Sequence, residues 1–173
     1  PAGWGDKYES YFFTPEGEDF EWFYAQHNVS LLDNGDIALF DNGTAKVKRD
    51  AGGNRVSGDD VYSRAVVYHI DTENMTASQV TEYGKERGAD WYADWISGVV
   101  SLDGTKDHLW ITAGSHLHSD EEDRSDYYPK DMFVPGLTKT THIDQVDNGE
   151  LSFELTISGD TYNALTYRYF RMP

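Results

Sequence analysis

The 173-residue chain contains no cysteine, which excludes a disulfide framework and any thiolate metal site and leaves the redox compartment unreadable. It is poor in positive charge, with 14 Lys and Arg against 31 Asp and Glu and a formal net charge of -17. Each phosphate contact would form against the field of the whole protein, so nucleic acid is not expected as a partner. The same field attracts cations and raises solubility or salt tolerance, and the latter is a sufficient reason for so many carboxylates. No apolar run is long enough to span a bilayer, and no charged-then-apolar leader opens the chain. A membrane span is therefore not expected, and a mature or truncated secreted product is compatible with both absences.

Aromatic residues, by contrast, are abundant: 5 Trp, 12 Tyr and 8 Phe. Flat rings with β-branched neighbours suit pleated, half-buried surfaces, so the expected class is all-β. The length suits one region with a real core. Apolar residues recur mostly at a period of two, in short runs punctuated by Gly, Asn and Asp, the pattern of strands joined by tight turns. Residues 29–32, the turn Asp33-Asn34-Gly35-Asp36 and residues 37–40 read as a hairpin, because Asn-Gly adopts the positive φ angles such turns need. Beyond a polar, Gly-rich loop at 51–60, residues 61–70 and 77–83 read as third and fourth strands of one meander.

A second unit follows the same plan. Residues 95–102, the turn Asp103-Gly104-Thr105-Lys106 and residues 108–112 form a hairpin, and 140–146 and 150–157 supply two more strands after a long loop at 115–135. Asp41-Asn42-Gly43 and Thr112-Ala113-Gly114 occupy matching places at the ends of the second strands. Two four-stranded antiparallel units, about 24–84 and 92–158, resemble blades of a β-propeller with long loops, and 163–171 reads as a closing strand. Two blades close no ring, and repeat units need neighbours to bury a continuous core. The chain is accordingly expected to be the C-terminal part of a larger propeller, completed by a missing N-terminal part, by another chain or by further copies of itself.

Four separated motifs carry a more specific likeness: Glu21-Trp22 with Gln26-His27, Phe40-Asp41-Asn42-Gly43, Tyr62-Ser63-Arg64-Ala65-Val66, and Glu82-Tyr83-Gly84-Lys85-Glu86-Arg87-Gly88. In this order they resemble the C-terminal half of the arylsulfate sulfotransferase family, over most of residues 12–114. The resemblance implies a six-bladed propeller, in the periplasm or outside the cell, that moves a sulfo group from an aryl sulfate to a phenolic acceptor through a sulfated histidine. It implies no cofactor and no nucleotide sulfate donor. Neutral imidazole is a nucleophile near neutral pH, cations stabilise charge on the sulfuryl oxygens, and a second imidazole exchanges protons with the phenols.

Carried over residue by residue, the resemblance assigns His27 a catalytic or sulfate-binding role at the start of an innermost strand. The family's arginine after the Phe-Asp-Asn-Gly turn is absent here, so Lys46 is expected to supply the charge, without the bidentate fork of arginine. Repeat geometry nominates His116 as nucleophile, with His118 as alternative. Arg64 is assigned to the catalytic group, and Asn42, Lys46 and His118 to substrate binding. Each has a plainer reading: His27 as a strand-capping histidine, Arg64 as a salt-bridged residue whose stem packs with Val66 and Tyr68, and His116 and His118 as solvent-exposed loop residues. His116 and His118 share one strand face, a spacing compatible with a metal pair, but no third ligand is evident, and Asp120-Glu121-Glu122-Asp123 matches no Ca²⁺ motif. His69, His108 and His142 read as ordinary sheet residues. Trp91, Tyr92 and Trp95 suit either an aryl ring or core packing. A catalytically silent propeller binding a ligand or partner through its rim loops is the alternative from another functional class.

Overall fold

The computed structural model describes residues 6–44, 61–93, 95–118 and 138–160. Among the described residues, nine strands form two sheets: β1 (Thr14–Glu16), β2 (Gln26–Leu31), β3 (Ile37–Asp41), β4 (Arg64–Asp71) and β5 (Thr76–Tyr83) in the first, with β6 (Gly98–Ser101), β7 (His108–His118), β8 (Thr138–Asp147) and β9 (Glu150–Asp160) in the second. The chain is therefore all-β, as the aromatic content and period of two imply. Strand order is β1-β5-β4-β3-β2 and β6-β7-β8-β9, so each sheet contains an antiparallel four-stranded meander. The described strands form two packed sheets and no closed ring. The expected closing strand at 163–171, Lys46 and the acidic run 120–123 lie outside the described residues.

Local chemistry sets the two long-predicted hairpins. Asn34 Oδ1 accepts from Asp36 N at 3.0 Å, Gly35 sits at φ 91°, and Leu31 pairs with Ile37. In the second, Asp103 Oδ1 accepts from Thr105 N at 2.9 Å with Gly104 at φ 83°. The two turns touch, Asp33 N donating to Gly104 O at 2.9 Å, and a Cβ on Gly104 would fall 2.3 Å from the Asp33 carboxylate. The sheets therefore run side by side with corresponding ends together.

Three features depart from the sequence expectation. β1 adds a short parallel strand outside β5, with Thr14 opposite Thr76. β7 does not stop at Thr112 but runs on through Gly114-Ser115-His116-Leu117-His118, past a register shift between Ala113 and His116, and pairs with β8 to its end. The start of the expected 115–135 loop is thus strand. Residues Lys85–Trp91 coil into 3₁₀ turns that carry Trp91 into the core.

Between the sheets lies the main core. Ala38 and Phe40 of β3 and Ala65 and Val67 of β4 meet Val99 of β6 and Ile111 of β7. Fully buried Trp91 packs on Phe40 and Tyr83, each with ring centroids 5.5 Å apart. Of the two readings for Trp91, core packing is the one observed. On the other face of the first sheet, Phe20 and Phe23 cover Leu39, Val66 and Tyr68. No helix among the described residues is long and apolar enough to cross a membrane.

Gly84 is required by both backbone and packing. Its φ is 103°, and a Cβ there would lie 2.2 Å from Trp91 Cζ3, a rigid ring with no room to retreat. Gly84→Ala is expected to destabilise by about 2–5 kcal/mol, combining left-handed strain with overpacking. Gly88→Ala meets nothing within 4 Å at φ 57° and should lose only about 1–2 kcal/mol. Urea unfolding of both variants separates the clash from the strain.

A buried carboxylate also bridges the sheets. Asp144 of β8 accepts at Oδ2 from Arg87 at 2.9 Å, Trp91 Nε1 at 3.0 Å and Tyr83 OH at 3.2 Å, while Oδ1 is buried without a hydrogen-bond partner. Burial pushes its carboxyl up to about 6 against the pull of Arg87, with neighbouring Glu154 adding to the rise. Because the folded value lies above the unfolded one, the folded state binds the extra proton between them. The contribution is fully present below about pH 4 and is lost as pH rises through about 6. At 1.36 kcal/mol per unit this amounts to about 2–3 kcal/mol. Asp144→Asn removes it, so the stability of wild type minus that of the variant should fall by this amount from pH 4 to 7.5. Subtraction in urea titrations cancels the remaining carboxylates.

Candidate active site at the shared end of the two sheets

The ends opposite the two touching hairpins bring together the start of β2, the end of β3 and the start of β4 in one sheet, and the start of β6, the end of β7 and the start of β8 in the other. Backbone strain concentrates here. Ala25 (φ 66°) and Asn28 (φ 51°) flank His27, while Ile96 (φ 52°) and Ser97 (φ 95°) precede β6. A β-branched residue in this region is a true outlier, and such outliers persist where surrounding contacts over-determine them.

Those contacts centre on the Asp41-Asn42-Gly43 turn. Asp41, fully buried, accepts at Oδ1 from Tyr24 N at 2.7 Å and Gly43 N at 3.1 Å, and at Oδ2 from Arg64 Nε at 3.2 Å. Asn42, also fully buried, donates from Nδ2 to Ala93 O at 2.6 Å and Ile96 O at 2.9 Å. Its Oδ1 lies 2.6 Å from His27 Nδ1. Ser63 Oγ donates to Asn42 O at 2.9 Å and accepts from Ala93 N at 2.9 Å. Ala93 and Ile96 are thus clamped onto the first sheet, and Ser97 Oγ accepts from Gly114 N at 2.9 Å, carrying the connection to the end of β7. At the inner edges, Asn28 Nδ2 and Ser30 Oγ both donate to Val99 O, at 2.7 and 3.1 Å.

His27 is half-buried on β2 opposite Phe40. His116 and His118 are placed by their backbone opposite Thr140 and Thr138, on the part of β7 that follows Gly114. The matching positions of Gly43 and Gly114 thus lie at the same end of the two sheets, and the structure brings His27 and the His116 strand end to one rim. Arg64 is a different matter. It lies on the face of Val66 and Tyr68, fully buried, and its guanidinium serves Asp41, Gln79 Oε1 (2.9 Å), Glu82 (2.7 Å), Glu21 O (2.8 Å) and Tyr68 OH (3.1 Å). Arginine has five N–H donors, and all five are used. The amide hydrogens of Asn42 are likewise committed. Both side chains, expected to contact substrate, bond to protein groups behind the rim.

Other charges also emerge. Lys139 of β8, fully buried opposite Leu117, has its Nζ 5.9 Å from the centroid of the Trp95 ring. Nothing in the spacing around it marks it as a site residue; only the extension of β7 and β8 carries it to this end. His69 bonds Asp36 at 2.7 Å, His108 bonds Asp147 at 2.9 Å, and His142 lies 3.3 Å from Glu154. Among the described residues, no group of three or more His, Cys, Asp or Glu is placed to hold a metal ion.

A family model described as arylsulfotransferase (ASST) matches residues 1–168. The chain is 30% identical over 154 residues to an arylsulfate sulfotransferase AssT of Escherichia coli O6:H1 (strain CFT073), covering 88% of this chain and 23% of that protein. It is 28% identical over 155 residues to the arylsulfate sulfotransferase AssT of Lelliottia amnigena, with the same coverage. The chain therefore spans about a quarter of the length of these relatives.

Proposed function

Since the chain belongs to the arylsulfotransferase family, we propose that it contributes one side of the catalytic rim of an aryl sulfate:phenol sulfotransferase. The reaction runs without a nucleotide donor, in the periplasm or outside the cell. A histidine nitrogen attacks sulfur, the N–S bond forms as the aryl O–S bond breaks, and the departing phenolate takes a proton from a second imidazole. The acceptor phenol then returns a proton to that imidazole while its oxygen attacks sulfur and the N–S bond breaks. His116 is assigned as nucleophile, with His118 as alternative, and His27 as the proton-exchanging and sulfate-binding imidazole.

The observation that supports this reading is the hydrogen-bonded path from His27 through Asn42 to Ile96 O, and from the adjacent Ser97 to Gly114, two residues before His116. Lys46 is assigned to the sulfuryl oxygens, and buried Lys139 adds positive potential beneath the rim without touching substrate. Arg64 and Asn42 act as supports. Two meander sheets with their inner strands side by side support a propeller, six-bladed by family resemblance. The exposed row Leu151, Phe153 and Leu155 on β9 supports a further unit packing there, from the rest of a longer chain or another copy.

The protein is tested with an aryl sulfate and a phenol. Donor phenol release that depends on acceptor supports the sulfotransferase; substrate binding without release supports the silent propeller. Native mass separates a missing partner from an inactive site. An assembly well above the 19.6 kDa of this chain is expected wherever turnover is seen.

A further inference from the structure

We infer that Asn42 is a positioning residue that fixes His27 as the Nδ1–H tautomer, making Nε2 the nitrogen that exchanges protons with the phenolic oxygens. The tautomer stands on geometry alone; only the role of Nε2 rests on the sulfotransferase reading.

An amide's oxygen and nitrogen have the same shape, so their assignment comes from their partners. One end of the Asn42 amide faces two carbonyl oxygens, Ala93 O at 2.6 Å and Ile96 O at 2.9 Å. Carbonyls only accept, so that end must be the NH₂ group. The other end is then oxygen, and it faces His27 Nδ1 at 2.6 Å. An amide oxygen also only accepts, so Nδ1 must carry the hydrogen, and in the neutral ring the lone pair resides on Nε2. Reversing the amide would set its oxygen against the two carbonyls, two frustrated contacts at a fully buried side chain.

The backbone of Asn42 is fixed as well. Asn42 O is held by Ser63 Oγ, and Asn42 lies between buried Asp41 and Gly43 at φ 69°. One of the two carbonyls it bonds, Ile96 O, belongs to the residue before Ser97, which holds Gly114. A single side chain thus sets the ring state of His27 and ties it to the strand end bearing His116. During transfer the Nδ1 hydrogen stays on Nδ1, donated to Asn42 Oδ1. The protonated ring gives its Nε2 hydrogen to the leaving phenolate, and the neutral ring takes the acceptor's hydrogen at Nε2.

The test is a two-bond ¹H–¹⁵N correlation spectrum of the full chain labelled in histidine, recorded where the ring is neutral, with His27 assigned by loss of its signals in His27→Gln. The expected pattern is a pyrrole-type Nδ1 and a pyridine-type Nε2, the reverse of the tautomer that dominates in free histidine. Asn42→Leu removes the acceptor and is expected to abolish that pattern. Asn42→Asp keeps an acceptor facing Nδ1, so it should retain the pattern and raise the His27 titration midpoint. A pyridine-type Nδ1 in the wild type, or an unchanged pattern in Asn42→Leu, overturns the inference. The wild-type spectrum decides the tautomer alone should a variant fail to fold. In turnover assays Asn42→Leu should lower kcat by about 100-fold with KM little changed, and an unchanged kcat overturns the role of Nε2. A protein that shows the expected tautomer but no phenol release refutes the sulfotransferase reading and leaves the positioning intact.

Discussion

Replacement of Arg64 by methionine is expected to lower the unfolding free energy by about 3–5 kcal/mol, the usual cost of removing one partner from a buried ionic network. Methionine keeps an unbranched stem of similar length, so the loss isolates the guanidinium. Its removal strips Asp41, a fully buried carboxylate, of the Arg64 Nε contact at 3.2 Å and leaves Glu82 and Gln79 facing an apolar group. It also removes one of the two donors to Glu21 O, leaving the bond from Tyr68 OH to hold that carbonyl against the first sheet. For a chain of this size, about 2–4 °C per kcal/mol places the fall in Tm near 10 °C or more. Arg64→Lys should recover less than half of the loss, since three donors on one nitrogen cannot reach acceptors arranged around a planar fork. A fall below about 1 kcal/mol in Arg64→Met would show that the network holds the fold no better than an apolar plug.

That network also shows where the sequence stops being informative. Alternation correctly puts Arg64 on the face of Val66 and Tyr68, because a period of two is a property of one strand read alone. It cannot name Asp41, Gln79, Glu82 and Glu21 as partners, since each comes from a different place in the chain and the pairing is non-local. Asn42 illustrates the same limit at the site. Its motif is visible in the sequence, and the family resemblance assigns it to substrate binding. The carbonyls of Ala93 and Ile96 that consume its amide belong to the other sheet's approach. The hairpin at Asp33-Asn34-Gly35-Asp36 was legible because its geometry is set by four adjacent residues.

The reach of β7 was hidden for a related reason. Gly114-Ser115-His116-Leu117-His118 has turn-like residues at its start and alternates histidine and leucine, so read alone it supports either loop or strand. Pairing with residues 138–142 across a register shift makes it strand. Asp144 escaped notice because a carboxylate at an inward position looks like a solvated residue until Arg87, Trp91 and Tyr83 are found around it. What the sequence did convey about the rim, His27 and the correspondence of Gly43 with Gly114, came from local motif and repeat position. Both are readable because they need no knowledge of partners.

The proposed division of labour between the two imidazoles leads to the largest expected effects on turnover. His116→Ala is expected to abolish sulfo transfer with every donor, since without the nucleophile no N–S bond forms. His27→Ala should instead lower kcat by about 10²–10⁴-fold, the usual contribution of a positioned acid–base group, and the loss should depend on the leaving phenol. An acidic nitrophenol departs as a stable anion and needs little protonation, so the defect in cleavage of its sulfate should be small. The sulfate of a weakly acidic phenol needs the Nε2 proton and should show the full defect. Rates with a series of aryl sulfates of falling leaving-group acidity therefore distinguish the roles: a steeper dependence in His27→Ala than in wild type, and no turnover at all in His116→Ala. If His118→Ala is the silent variant and His116→Ala is active, the nucleophile is His118. If both histidine variants on β7 and His27→Ala retain wild-type rates, the chemistry lies elsewhere in the protein, and the rim formed by these two sheets is a support for it.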